Sequence, residues 1–282
     1  MVDIEKYLKD NKRLVDNFLK KYFLKKSSPA PILTKAINYS LFPGGKRFRP
    51  ILAIASAEAV NGKIERVLPV ACAIELIHTY SLIHDDLPAL DNDDVRRGKP
   101  SSHIVFGEDI AILTGDALLT EAFGIMSDTA LWKDRSHRAL KMIHEVALAA
   151  GSMGMVGGQV LDMIKVKKAA SRSSLEHIYL LKTGIPIKAA VICGALAVGA
   201  RPNQVSVLSR YGEFLGLAFQ ISDDILDSRT KKEDGYPSIF GREKAQSRLK
   251  ELGERAASLL NRWGEGAEPL RALASYIVTR TN

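Results

Sequence analysis

The chain is poor in cysteine and tryptophan, with two of each among 282 residues, and it lacks any sustained alternation of apolar and polar positions. Each absence excludes something. Cys72 and Cys193 lie in apolar runs, VACAIEL and AAVICGALAV, where a free thiol behaves as a small hydrophobe, so no disulfide framework is expected. Without alternation of period two there is no half-buried sheet to build. No stretch has the Pro, Gly and Ser density of an interdomain linker and no segment repeats at a fixed period, so residues 1–282 read as one domain. The longest charge-free run near the middle, Ala189 to Ala200, falls short of the roughly 20 residues that cross a bilayer. Acids and bases run through MVDIEKYLKDNKRLVDNFLKKYF, without the apolar core of a signal peptide. No stable membrane insertion and a cytoplasmic location are therefore expected.

What is present is helical periodicity. Hydrophobic residues make up 46% of the chain, enough for a substantial core, and nearly every segment repeats them at three and four. The spacing predicts an all-α protein. Val15, Phe18, Leu19, Tyr22 and Phe23 form one stripe on a first helix ending near SSPAP, and FPGGKRFRP is a turn into a helix of small and apolar residues. The next helix, from about Glu65 through VLPVACAIELIHTYSLI, is apolar almost all round and is expected at the centre of the structure. Further helices are predicted over 109–131, 135–150, 156–166, 174–183, 186–198, 204–226, 242–263 and 268–279, with loops near 169–173 and 228–238.

The formal charge of +8 at pH 7 admits nucleic acid, an anionic membrane surface or small anionic substrates. Distribution separates them. Bases concentrate in two short clusters, GGKRFRP and RRGKP. Neither is interleaved with aromatics as a single-strand platform would be, and the second follows five aspartates that would repel a phosphate backbone. No nucleic-acid partner is expected.

The acidic clusters carry the chemistry. In FQISDDILD, residues Gln220, Asp223 and Asp227 share a helical face with Asp224 at its edge. This is either an exposed acidic face or a cation site, since like carboxylates repel unless a cation lies between them. Carboxylates without histidine or cysteine suit a hard ion, and combined with substrate phosphate they suit magnesium. In HDDLPALDNDDVRRGKP, Asp85 and Asp86 close the central helix and Pro88 prevents its continuation. Asp91 can then fold back toward the same ion. Arg96 and Arg97 each suit a phosphate, and Gly44, Gly45, Lys46 and Arg49 offer a second anion site where a turn meets a helix N-terminus. Two metal clusters with two anion sites need two phosphorylated substrates. One turn before Asp85, Tyr80 and Ser81 lie about 6 to 8 Å deeper along the helix. Gly151, Gly154, Gly157 and Gly158 suit close helix packing, and His103 lacks a second ligand at zinc spacing.

With GGKRFRP, IHTYSLIHDDLPALDNDDVRRGKP, GGQVLD, KTG and FQISDDILD in order, the chain from about Ile32 to at least Gly241 resembles the trans-prenyl diphosphate synthases, and among them the bacterial farnesyl and plant-type geranylgeranyl branches, the bacterial farnesyl enzymes most. The resemblance implies a helical bundle of the isoprenoid synthase type around a central cavity, working as a homodimer. It implies head-to-tail condensation of isopentenyl diphosphate with dimethylallyl or geranyl diphosphate. Asp85, Asp86, Asp91, Asp223, Asp224 and Asp227 would hold three Mg²⁺ ions on the allylic diphosphate, with Arg96 and Lys182 on the same group. Lys46, Arg49, His78 and Arg97 would hold isopentenyl diphosphate. Thr183 and Gln220 would offer neutral oxygens to the allylic cation. The family's lysine after the second motif is replaced by Glu233, with Lys232 or Lys231 as substitutes, and 228–237 is a candidate lid. Tyr80 and Ser81 would floor the apolar tunnel that takes the growing chain, and an aromatic at Tyr80 resembles the members that stop at C15, with C20 as the alternative.

Overall fold

A computed structural model describes residues 2–24, 29–42, 45–165, 171–228 and 235–280, apart from the side chains at 134 and 165. Its helices are α1 (Ile4–Leu24), α2 (Pro31–Leu41), α3 (Phe48–Ala59), α4 (Leu68–Asp85), α5 (Ser102–Phe106), α6 (Glu108–Ser127), α7 (Thr129–Trp132), α8 (Ser136–Ala150), α9 (Met155–Lys165), α10 (Arg172–Tyr179), α11 (Ile185–Val198), α12 (Pro202–Asp227), α13 (Tyr236–Phe240), α14 (Arg242–Ser258) and α15 (Glu268–Thr279). Among the described residues the only sheet is a two-stranded hairpin, β1 (Val95–Arg96) with β2 (Lys99–Pro100).

As its composition predicts, α4 is the central helix. It packs against α1, α2, α3, α6, α8 and α11, and everything from Pro69 to Ile77 is buried. The stripe on α1 faces it, with Val15 and Leu19 fully buried in the same apolar cluster. A second cluster gathers residues of α12, α14 and α15. Two helices join the clusters. Ala53, Ile54 and Ala57 of α3 face the first while Ile51, Leu52 and Ala55 face the second, and α11 divides likewise between Ala190, Cys193 and Ala197 and Ile187, Val191 and Ala195. The pair is locked by Ser56 Oγ donating to the Val191 carbonyl at 2.6 Å. Both cysteines are free and buried.

Three stretches, 108–127, 136–164 and 172–198, match a membrane span in length and mean hydropathy. The charge-free criterion above misses them because each carries charged residues. The third is the most buried, with α11 packed against α3, α8 and α12; the first packs α6 against α4 but leaves Ile112 and Leu113 exposed, and the second leaves Leu140, Leu148 and Met163 exposed.

Four details differ from the helical reading. Asp128 breaks the helix predicted to run from 109 to 131; its backbone turns extended and its carboxylate caps α7 through the Ala130 N–H. The predicted helix 174–183 ends at Tyr179 and continues as a single π turn, Leu180–Gly184. The last turn predicted up to Trp263 lies beyond α14, which stops at Ser258. The hairpin and the short α5 and α13 are additions.

Candidate active site

α4 ends at Asp85 because Pro88 carries no N–H and restricts the residue before it. The chain then folds back over the helix end, with the Asp91 N–H donating to the Asp85 carbonyl at 2.8 Å and the Asp93 N–H to the Asp86 carbonyl at 3.2 Å. Asp91 is thus brought beside Asp85. Burial first, and then the like charge of Asp91, push the Asp85 carboxyl up to about 6, against the pull of Lys182. Burial raises Asp91 as well.

Asp86 behaves differently. It is buried, accepts from Arg96 Nε at 2.8 Å, and lines a separate recess of about 40 Å³ behind the motif. Arg96 also bonds Asp93 at 3.0 Å, so the structure gives the pair Asp86 and Arg96 to each other. The hairpin sets this up. Arg97 and Gly98 both have positive φ, 54° and 74°, the combination that a two-residue type I′ turn requires. Arg97 is carried across to Gly45, which has φ 88° and whose missing Cβ would lie 2.8 Å from the guanidinium.

On α12 the second cluster divides in the same way. Asp223 Oδ1 lies 2.6 Å from the Arg280 guanidinium, and burial raises its carboxyl while Arg280 opposes the rise. Asp224 is engaged by three donors: the Tyr179 hydroxyl, Gln220 Nε2 at 2.9 Å and the Tyr236 N–H at 2.8 Å. Asp227, at the end of α12, is exposed.

The KTG segment is the π turn, a form that recurs at functional sites. Lys182 Nζ reaches Asp162 at 2.7 Å; burial works against its charge, but Asp162, Asp85 and Asp91 raise its pKa. Thr183 Oγ1 donates to Gln220 Oε1 at 2.7 Å. Gly158 lets α9 approach this turn, since a Cβ there would meet the Lys182 backbone nitrogen at 2.4 Å.

Two cavities result. The first, about 320 Å³, is lined by Asp85, Lys182 and Thr183 together with Tyr80, Ser81, Leu90, Val156, Val160 and Met163. The second, about 750 Å³, is lined by Lys9, Lys12, Lys46, Arg97, Asp223 and Arg280, with Phe48 and Phe219. Arg49 and His78 stand in the walls of both. Burial first, and then Arg49 and Arg97, push the His78 imidazole well below its usual range. Burial also lowers Lys46, with Arg280 adding to it.

No three His, Cys, Asp or Glu side chains converge at metal-binding range among the described residues. The donors that do reach the cavities are carboxylate oxygens beside cationic groups, which fits an ion that takes its remaining ligands from phosphate and water rather than from a protein cage.

Of the predicted residues, Asp85, Lys182, Thr183, Tyr80 and Ser81 line the first cavity, Lys46, Arg97 and Asp223 the second, and Arg49 and His78 both. Asp86, Arg96 and Asp224 are drawn into internal contacts. Lys231 and Lys232 lie outside the described residues, as does most of the candidate lid. Two arginines are among the groups that escaped the sequence reading, as are Asp162 and Tyr179. Arg280 comes from the far end of the chain, with no local motif to mark it. Arg47, in the GGKRFRP turn, is a buried strut bonded to Asp16 at 2.8 Å and to Glu75 at 2.7 Å. A left-handed φ of 52° there turns its side chain inward.

Residues 30–237 match the Polyprenyl synthetase family. The chain is 47% identical over 232 residues to a farnesyl diphosphate synthase of Geobacillus stearothermophilus, covering 82% of this chain and 78% of that one. It is 41% identical to a geranylgeranyl diphosphate synthase of Cyanophora paradoxa, covering 98% and 96%. The crystal structure of an FPP/GFPP synthase from Zymomonas mobilis superposes with a TM-score of 0.91 at 35% identity, over 98% of this chain and 99% of that one. With the fold, the motifs and these likenesses in agreement, the chain belongs to the polyprenyl synthetase family.

Proposed function

We propose that the protein is a prenyltransferase that condenses isopentenyl diphosphate head-to-tail with dimethylallyl and then geranyl diphosphate, releasing farnesyl diphosphate. The observation that carries this reading is the partition formed by Arg49 and His78, which stands in the walls of both the carboxylate cavity and the basic cavity. Two anionic substrates can lie on either side of it with their reacting carbons close together. A terpene cyclase, which ionises one diphosphate, has no use for the second, basic cavity.

In this reading the allylic diphosphate lies at Asp85, Asp91 and Lys182, with its hydrocarbon tail running toward Tyr80. Isopentenyl diphosphate lies on Lys46, Arg49 and Arg97. Asp85 and Asp91 from the first motif, and Asp223 and Asp227 from the second, are the side chains that would hold Mg²⁺, three ions in all by resemblance. Bound there, the metal supplies positive charge to the leaving diphosphate oxygens. Lys182, held by Asp162, adds fixed charge at the same place. Thr183 donates its proton to Gln220, which leaves its oxygen lone pairs free to face the developing allylic cation without the nucleophilicity of a carboxylate. The apolar wall from Leu90 to Met163 keeps water from that cation. The departing diphosphate takes up the proton lost from the new bond. Asp86 and Asp224 act at one remove, fixing Arg96 and the Tyr236 segment.

Tyr80 stands in the wall of the first cavity, buried and bulky, which supports a C15 product. A C20 product is the second reading, supported by the relative that matches 98% of the chain. Ile104, Val105, Ile112 and Leu113 on α5 and α6 are exposed; we take them as the face a second copy covers in a homodimer. The cytoplasm is the compartment proposed. Incubating the protein with isopentenyl and dimethylallyl diphosphates plus Mg²⁺ and measuring product chain length tests the reading. Farnesyl diphosphate is expected; absence of any elongated product overturns it.

A further inference from the structure

The ring that would limit product length is held by packing. Tyr80 is 7% exposed, and among the described residues no hydrogen bond fixes its hydroxyl. Its orientation rests on packing, and one neighbour is specific. His84, one turn further along α4, meets the Tyr80 ring edge to face, with centroids 5.7 Å apart and planes at 79°, a geometry that aromatic pairs favour.

His84 is itself held from the opposite side. Its Nε2 lies 3.0 Å from the Ile112 carbonyl of α6, so the nitrogen there carries the proton and donates. The imidazole occupies a notch that exists only because residue 115 is glycine, since a Cβ at Gly115 would come within 2.1 Å of Nε2. Asp116 Oδ1 lies 3.9 Å from the same nitrogen. The chain of contacts runs from the α6 backbone to His84 and on to Tyr80. Tyr80 and His84 both line the first cavity, and Gly115 does not.

We infer that His84 is a positioning residue for product length, pinned to α6 so that its imidazole holds Tyr80 across the path of the growing hydrocarbon. The inference rests on the reading of Tyr80 as the floor. It extends control of specificity to α6, a helix whose Ile112 and Leu113 side chains are exposed while the Ile112 carbonyl holds the ring.

Product-length ratios test it, because they compare products made by the same molecules and do not move with a general loss of rate. Y80A is made first and is expected to lengthen products; C15 retained in Y80A overturns the floor reading and this inference with it. Given longer products from Y80A, H84A is expected to raise the C20 to C15 ratio by roughly 2- to 10-fold, the weight of a lost aromatic edge contact. H84F, which keeps an edge contact but loses the bond to α6, should fall between H84A and the unaltered enzyme. G115A, outside the cavity, should change the ratio by displacing the imidazole. If H84A, H84F and G115A all keep the unaltered ratio while Y80A lengthens products, His84 does not position the floor. Should G115A fail to fold, the H84A and H84F ratios decide the matter alone.

Discussion

Arg280 sets its guanidinium 2.6 Å from Asp223 Oδ1 and 4.4 Å from the centroid of the Phe219 ring. It also donates to Ser222 Oγ and to the Phe219 carbonyl. The far end of the chain thereby delivers a buried cation to the second acidic motif and to the wall of the basic cavity.

In R280Q the basic cavity, the proposed seat of isopentenyl diphosphate, loses one of its cations. Charge-assisted hydrogen bonds contribute about 1.5–3 kcal/mol, so KM for isopentenyl diphosphate should rise roughly 10- to 100-fold. KM for the allylic substrate should move less, since Arg280 meets that site only through Asp223. Steady-state kinetics with each substrate varied in turn separates the two; equal rises in both would place Arg280 in a general structural role.

Asp85 gives a pH prediction. Its carboxyl is raised to about 6, burial being the main cause. A carboxyl raised in the folded state binds its proton more tightly there than in the unfolded chain. Its favourable contribution is therefore complete below 3.8 and lost as pH rises through about 6. A rise of that size corresponds to about 3 kcal/mol at most. Without Mg²⁺, D85N should melt several degrees higher than the unaltered protein at pH 8 and show less advantage at pH 5, while losing activity. Melting curves at the two pH values check the sign, and a D85N variant less stable at pH 8 contradicts it.

The Arg47 strut should matter to folding more than to chemistry. R47M leaves Glu75 buried without its cation, and breaking a buried pair in this way costs about 3–5 kcal/mol. A fall in Tm of roughly 10 °C is expected. A change of less than 2–3 °C, about 1 kcal/mol at this chain length, would mean that Glu75 has found another partner.

G158A probes the approach of α9 to the π turn. A methyl group there must push the Lys182 backbone away, and small displacements of a positioned group can cost about 100-fold in rate. Single-turnover measurements should show kcat reduced by roughly 10- to 100-fold, and crystals of the variant should show Lys182 displaced from Asp162. An unchanged rate would show that the turn yields without moving its lysine.

Helices were the legible part of this fold, because apolar residues at three and four leave no other periodic reading. Asp128 was not, since the apolar pattern runs on either side of it and only the cap reveals the break. The RRG hairpin hides in six residues among helices, and its one signal is a glycine at the second position of a two-residue turn. Within the site, sequence located the acidic clusters but could not say which member of each adjacent pair faces the cavity. Neighbouring helical residues point about 100° apart, so the choice between Asp85 and Asp86 depends on how α4 is rotated by its packing. Arg280 is the opposite case. An isolated arginine after an amphipathic helix has no pattern at all, and only the fold carries it to Asp223.

The most direct test is a crystal structure with Mg²⁺, isopentenyl diphosphate and a non-reactive allylic diphosphate analogue bound together. The account predicts one diphosphate beside Asp85, Asp91 and Lys182 with its hydrocarbon tail pointing at Tyr80, the other on Lys46, Arg49 and Arg97, and the two reacting carbons meeting beside Arg49 and His78. Both diphosphates in one cavity, or an allylic tail leading away from Tyr80, would contradict it.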